Sequence, residues 1–168
     1  RISDLDRVLS RGWYDRSSLR IGFKRDSRDD VIIPKNGSVF RQFFTYTGGF
    51  IGGDSHYIES VSDFSLYFPL FWKFTFASNI KVGYIFDQFL AASTKFNIDP
   101  IEKFRFDGMT ELRGWNDIYD VDGRGKIGGS FEVRLPIFER IISSLLFYDV
   151  GKIWANYKRM AFNFKEYK

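Results

Sequence analysis

One arginine and two carboxylates are the groups in this sequence whose types and spacing indicate a specific chemistry. Arg113 lies in a long aperiodic segment, and Glu132 and Asp149 lie in two later segments that alternate between apolar and polar residues. A guanidinium is a planar fork of five donors, which suits bidentate binding of carboxylates. These residue types suit binding rather than catalysis, with Arg113 able to pair with acidic side chains.

The arginine stands in the motif Leu112-Arg113-Gly114-Trp115, inside a loop that we place at about residues 86–126. Gly114 would let the backbone turn tightly or approach the wall closely, and Trp115 would hold the loop tip by packing. Loops this long are uncommon unless they are functional. From the residues alone, an alternative stays open. Arg113 is then solvated and the two acids only make a surface polar, since exposed ion pairs contribute little.

Other catalytic or metal-binding chemistry has little support. There is no cysteine and one histidine, His56, which we interpret as a polar residue at a loop end. A thiol nucleophile is therefore absent, and a histidine-based metal site or triad is improbable. The acids of the long loop suggest calcium, but they lack the spacing and terminal glutamate of a calcium loop. Those acids are Asp107, Asp117, Asp120 and Asp122. We expect no enzyme activity, no cofactor and no metal.

The elements that must position these side chains are β-strands, because the sequence alternates with period two. Six segments are predicted: residues 18–25, 38–47, 57–68, 72–84, 127–135 and 142–154. In the fourth, Trp72, Phe74 and Phe76 share one face, and Lys73 and Lys81 share the other. Each strand therefore has one apolar face and one polar face.

The same alternation places both acids on one side of the sheet. In the fifth segment Glu132 lies opposite Phe131, and in the sixth Asp149 lies opposite Tyr148. If the aromatic faces meet lipid, both carboxylates point into the lumen of a barrel from neighbouring strands. A loop that folded back inside would bring Arg113 towards them.

Composition and strand length favour a membrane barrel over a soluble sheet. Of the 168 residues, 20% are aromatic and 27% charged. Several predicted strands reach the roughly 9–11 residues that a tilted spanning strand needs. Short turns alternate with long loops, as in outer-membrane barrels. The net charge of +4 is scattered, so we expect no nucleic-acid partner.

Several separate stretches of the chain resemble BamA-type outer-membrane protein assembly factors. They share an Arg-Asp turn, a Gly-Gly loop, a Tyr-Phe-Pro turn, the Arg-Gly-aromatic motif and a final pair of strands. They cover residues 25–30, 46–54, 67–70, 112–115 and 128–154. One departure is Asp107, which stands where the family usually has the first of two glycines.

The resemblance implies a fold, a site and partners. The fold is an all-β antiparallel transmembrane barrel of about sixteen strands, with the long loop folded inward. Residues 1–168 would form six strands of its C-terminal half, with the POTRA domains and final strands outside this chain. Arg113 would engage Glu132 and Asp149 on the inner wall. The implied function is insertion of client β-barrels into the bacterial outer membrane. The implied partners are membrane lipid, unfolded clients and accessory lipoproteins.

Three alternatives remain open from the sequence. A two-partner secretion or TamA-type translocation barrel would share the fold and the loop motif. An outer-membrane phospholipase or protease barrel would use the loop acids in catalysis. A lectin-like soluble β-sandwich would bury the apolar faces that we assign to lipid.

Overall fold

The sheet contains six antiparallel strands whose spatial order follows the chain. The computed structural model describes residues 13–86, 98, 102–114, 122–138 and 142–155. The strands are β1 (Ser18–Asp26), β2 (Gly37–Thr47), β3 (Tyr57–Pro69), β4 (Thr75–Phe86), β5 (Gly125–Phe138) and β6 (Ile142–Trp154). The predicted all-β antiparallel fold is confirmed. Among these residues, no helix has the length and apolar character to span a membrane.

Each strand exposes an apolar face on one side of an open sheet. On β1, Leu19, Ile21 and Phe23 are between 56% and 67% exposed. On β4, Ile80 and Val82 are exposed. We call this side the outer face and the opposite side, which carries Glu132 and Asp149, the inner face. Residues at alternate positions share a face because successive side chains in a strand point in opposite directions.

The connections at the two ends of the strands differ mainly through one long loop. One end, the short-turn rim, carries the connections at residues 27–36 and 70–74. The other end, the long-loop rim, carries residues 48–56, which match residues 27–36 closely in length, and the much longer loop between β4 and β5. In the turn after β1, Asp29 Oδ1 accepts hydrogen bonds from the backbone N–H groups of Asp30, Lys35 and Asn36. These bonds, above all that from Asn36, hold the pKa of Asp29 below its ordinary value.

The fourth strand begins three residues later than the sequence predicts. Trp72 and Phe74 lie in the turn between β3 and β4 rather than on the apolar face of a strand. The N–H of Leu70 donates to the carbonyl of Phe74 at 2.8 Å, and the N–H of Phe74 donates to that of Phe71 at 3.2 Å. Because these groups bond within the turn, the sheet ladder starts at Thr75. Trp72 adopts a positive φ of 56° and is 76% exposed.

Two neighbouring residues that disturb the alternation of β2 are both accommodated. Phe43 lies on the inner face, where the Arg20 guanidinium sits 4.2 Å from its ring centroid and Gly22 leaves room for the ring. Gln42 lies on the outer face. Its amide donates to Ser60 Oγ at 3.0 Å and accepts from Ser62. The polar group on the apolar face is therefore satisfied across the β2–β3 pair.

Candidate functional site

Arg113 from the long loop binds Asp149 of β6 with three hydrogen bonds. The guanidinium donates from Nε to Oδ2 at 2.9 Å and from Nη2 to Oδ1 at 2.8 Å. The Arg113 backbone N–H also donates to Oδ2, at 2.9 Å. This bidentate contact matches the donor fork of arginine to both carboxylate oxygens. The hydrogen bond to Asp149 raises the pKa of Arg113 above its ordinary value.

Three further inner-face groups complete the surroundings of the guanidinium. Nη1 lies 2.7 Å from Glu132 Oε1, and Nη2 donates to Ser130 Oγ at 2.8 Å. The guanidinium carbon sits 4.0 Å from the centroid of the Phe147 ring, in cation–π geometry. Glu132 is also paired with Arg134 at 2.6 Å, so two arginines face two carboxylates. We call Arg113, Ser130, Glu132, Phe147 and Asp149 the arginine clamp.

The register of β5 and β6 explains why these side chains meet. Ser130 pairs with Asp149, and Glu132 pairs with Phe147, at successive inner-face positions. Directly paired side chains in an antiparallel ladder lie close enough to share one ligand. The side chains of Asp149 and Glu132 are only 3% and 12% exposed. A carboxylate this buried needs a charged or donor-rich partner, which Arg113 supplies.

The backbone on each side of Arg113 suits the predicted motif. Gly114 has a φ of 86°, a left-handed conformation that favours glycine, while its missing Cβ would meet nothing within 4 Å. The conformation, rather than a close approach to the wall, is therefore the reason for glycine here. Leu112 is half-buried, and its N–H donates to the carbonyl of Asp107 at 3.1 Å. Trp115 lies outside the described residues.

Asp107 builds the turn that leads to the arginine. Its carboxylate accepts hydrogen bonds from the Met109 N–H at 2.9 Å and the Thr110 hydroxyl at 2.8 Å. The bond from Met109 is the main reason that the pKa of Asp107 lies below its ordinary value. Asp122 lies 3.4 Å from Lys103, while Asp117 and Asp120 lie outside the described residues. Within the described ranges, no three metal-ligating side chains cluster.

A second buried charge cluster beside the clamp was not anticipated from sequence. Glu111 accepts from Lys126 Nζ at 2.7 and 2.9 Å and from Lys81 Nζ at 2.7 Å. Lys126 is 6% exposed and also donates to the Arg105 carbonyl at 3.0 Å. Burial opposes ionisation of Glu111, but the hydrogen bonds from both lysines outweigh it and lower its pKa. The loop thus places a carboxylate over two lysines of the inner face.

Two loop phenylalanines also dock on inner-face glycines. A Cβ at Gly83 would lie 2.6 Å from the Phe104 ring, and one at Gly151 would lie 2.5 Å from the Phe106 ring. Gly128, the register partner of Gly151, is also under Phe106. Strand glycines commonly mark close approach of another part of the chain. The glycines at inner-face positions, two of which are directly paired, were the sequence feature that could have indicated docking of the loop.

The other sequence-predicted groups have plain structural roles. His56 Nδ1 accepts the backbone N–H of Gly49 at 2.9 Å, at the end of the loop between β2 and β3. Arg113, Glu132 and Asp149 are brought together on the inner face, while Leu112 and Gly114 shape the turn. The arrangement can bind and hold a loop. The biological role of that contact stays a prediction.

Comparison with known proteins places these features in a family context. A family model described as the Omp85 superfamily domain matches residues 3–168. The outer membrane protein assembly factor BamA of Nitratidesulfovibrio vulgaris is 28% identical over 117 residues, which cover 67% of this chain and 14% of that protein. A SAM50-like protein of Schizosaccharomyces pombe is 28% identical over 131 residues, covering 73% of this chain and 26% of that protein. The chain therefore corresponds to a small part of each relative.

Proposed function

This chain belongs to the Omp85 superfamily, and from that premise we propose that it forms one arc of a membrane-embedded barrel that inserts client β-barrel proteins into an outer membrane. The open six-stranded sheet, with its exposed apolar outer face, supports the membrane assignment. The name of the Nitratidesulfovibrio relative supports the assembly role and a bacterial outer membrane. Outer-membrane lipid, unfolded barrel clients and accessory lipoproteins are the partners that this function requires.

The arginine clamp is the observation that carries the proposal. A loop that is held against the inner face by a buried bidentate ion pair has a fixed position along the strands of the sheet. Such a loop braces the wall from within and fills part of the lumen. A barrel of this kind needs no catalytic group, because insertion is a physical process. Unpaired strand edges at a seam elsewhere in the barrel template an incoming strand through backbone hydrogen bonds.

A charge-reversal pair in the intact protein tests the clamp's role. Arg113→Glu places three carboxylates together, so we expect the steady-state level of client barrels in the outer membrane to fall at least about tenfold, as for a broken buried pair. Adding Asp149→Arg restores opposite charges across the contact, and client levels should recover substantially. Failure of the double variant to recover any loss would count against a direct functional pair.

The matched control is another arginine of the same loop. Arg105 lies 3.9 Å from Asp122 and is 39% exposed at its side chain, so Arg105→Glu should leave client levels near native. The same strains also separate assembly from secretion. A barrel that assembles clients loses outer-membrane proteins when the clamp is broken. A two-partner secretion barrel would instead lose one exported substrate while client levels stay constant.

A further inference from the structure

A second buried carboxylate of the long loop, besides Glu111, joins the loop to residues next to β1, β2 and β3. Glu102 has a side chain that is only 6% exposed, and its Oε1 lies 3.1 Å from Arg16 Nε. Its Oε2 accepts hydrogen bonds from the Tyr14 hydroxyl at 3.1 Å and from the Ser55 hydroxyl. We call Tyr14, Arg16, Ser55 and Glu102 the rim latch. None of these residues belongs to the arginine clamp.

The residues that hold Glu102 are themselves fixed to the long-loop rim. The backbone of residues 15–17 bonds to the loop between β2 and β3. The Gly48 N–H donates to the Ser17 carbonyl at 2.9 Å, and the Asp54 N–H donates to the Asp15 carbonyl at 2.8 Å. Arg16 Nη2 also donates to the buried Tyr57 hydroxyl at 2.9 Å. The side chains that bind Glu102 are therefore held in place by hydrogen bonds to the β2–β3 loop and to Tyr57.

The geometry points to a loop that is fixed at both ends of a span across the inner face. We propose that Glu102 is a positioning residue that anchors the long loop at the rim, so that the loop leaves the lumen only when the rim latch, the arginine clamp and the contacts between them are all released. The inference rests on the proposed function, which supplies the lumen that the loop crosses. A loop that is held at one contact can rotate about that contact, whereas a loop that is held at two separate contacts keeps a fixed position across the inner face.

The contacts between the two anchors support this interpretation. Phe104 and Phe106 dock on inner-face glycines, and Glu111 sits over Lys81 and Lys126. The described loop segment is thus in contact with the wall from Glu102 to Arg113. Breaking the latch leaves a buried carboxylate without its cation, which is costly, although the half-exposed Arg16 moderates the effect.

Single-channel recording of the intact protein in planar lipid bilayers tests the proposal. Glu102→Gln and Arg16→Glu should each raise the frequency of large-conductance openings roughly tenfold, as expected when one buried ionic contact is lost. The double exchange Arg16→Glu with Glu102→Arg should bring the frequency back towards native. Heat-modifiable migration of the barrel on gels should stay unchanged in all three variants, which separates loop release from misfolding.

The control is the neighbouring residue. Lys103 has a side chain that is 30% exposed and lies 3.4 Å from Asp122, so Lys103→Gln should open at the native frequency. If Glu102→Gln also opens at the native frequency while Arg113→Ala opens often, the latch proposal is overturned and the clamp stands. If neither opens, both the latch and the clamp's proposed role are overturned. Should Glu102→Gln fail to fold, Tyr14→Phe removes one hydroxyl only and should still raise openings about twofold.

Discussion

The side chain of Arg113 combines geometry and burial in a way that lysine cannot reproduce. Its guanidinium meets Asp149, Glu132 and Ser130 at once and stacks on Phe147. Strand parity alone predicted that the two acids share a face. The partners Ser130 and Phe147 required the β5–β6 register, which no single strand pattern contains.

Arg113→Lys should therefore weaken the clamp although the charge is kept. An ammonium supplies no bidentate fork, so we expect the free energy that holds the loop to fall by about 1–2 kcal/mol. Arg113→Ala should lower the same free energy by about 3 kcal/mol because it leaves Asp149 buried without a cation. Both effects can be measured in detergent micelles, because a loop that is held less firmly should be cleaved faster by protease. Equal cleavage of the Lys and native proteins would contradict the bidentate account.

Glu111 gives the loop a predictable dependence on pH. Its folded pKa is lowered from an ordinary value of 4.5, so its contribution to loop docking is complete above that pH and is lost as the pH falls through the folded value. Glu111→Gln should expose the loop to hydrogen exchange at neutral pH, since two lysines lose their carboxylate. The difference between the variant and native protein should shrink below pH 4.5 and vanish once the pH falls below the folded pKa of Glu111. A pH-independent difference would contradict this assignment.

Elements differ in how far the sequence specifies them. All six strands follow from period-two alternation, although Gln42 on the outer face of β2 and Phe147 on the inner face of β6 interrupt it. The start of β4 was mispredicted because Trp72 and Phe74 continue the alternation while their backbone groups bond within the turn. The inner-face glycines mark places where another part of the chain approaches the sheet, but the sequence does not show that Phe104 and Phe106 dock there, since an aperiodic loop carries no register.

The glycines under Phe106 should be required for docking of the long loop. Gly151→Ala would place a Cβ 2.5 Å from the ring, so we expect a loss of about 1–3 kcal/mol in loop docking. Gly129 provides a matched control on the outer face, where the nearest atoms to a new Cβ lie at 3.4 Å. Hydrogen exchange at residues 104–112 should rise for Gly151→Ala and stay near native for Gly129→Ala. Faster exchange in Gly129→Ala than in Gly151→Ala would contradict docking of Phe106 on Gly151.

At the scale of the whole molecule, we propose that the apolar outer face meets lipid while the inner face holds the loop. The two faces differ in chemistry along β4, where Ile80 and Val82 are exposed and Lys81 binds Glu111. Exposed apolar area on this scale requires a cover, which a bilayer supplies and water does not. The assignment also explains why mean hydropathy is unremarkable, since polar and apolar residues alternate.

Spin-label accessibility along β4 distinguishes a lipid-facing outer face from one that is buried in protein. This chain has no cysteine of its own. With any cysteine elsewhere in the intact protein replaced by serine, single cysteines at positions 79 to 83 can therefore be labelled selectively in liposomes. Labels at Ile80 and Val82 should collide with oxygen dissolved in the bilayer, while labels at Asn79 and Lys81 should not. Oxygen collision that is high at Ile80 and Val82 and low at Asn79 and Lys81 would support a β4 whose outer face meets lipid. Protection of Ile80 and Val82 from both oxygen and a water-soluble nickel complex would show that the outer face is buried in protein and does not meet lipid.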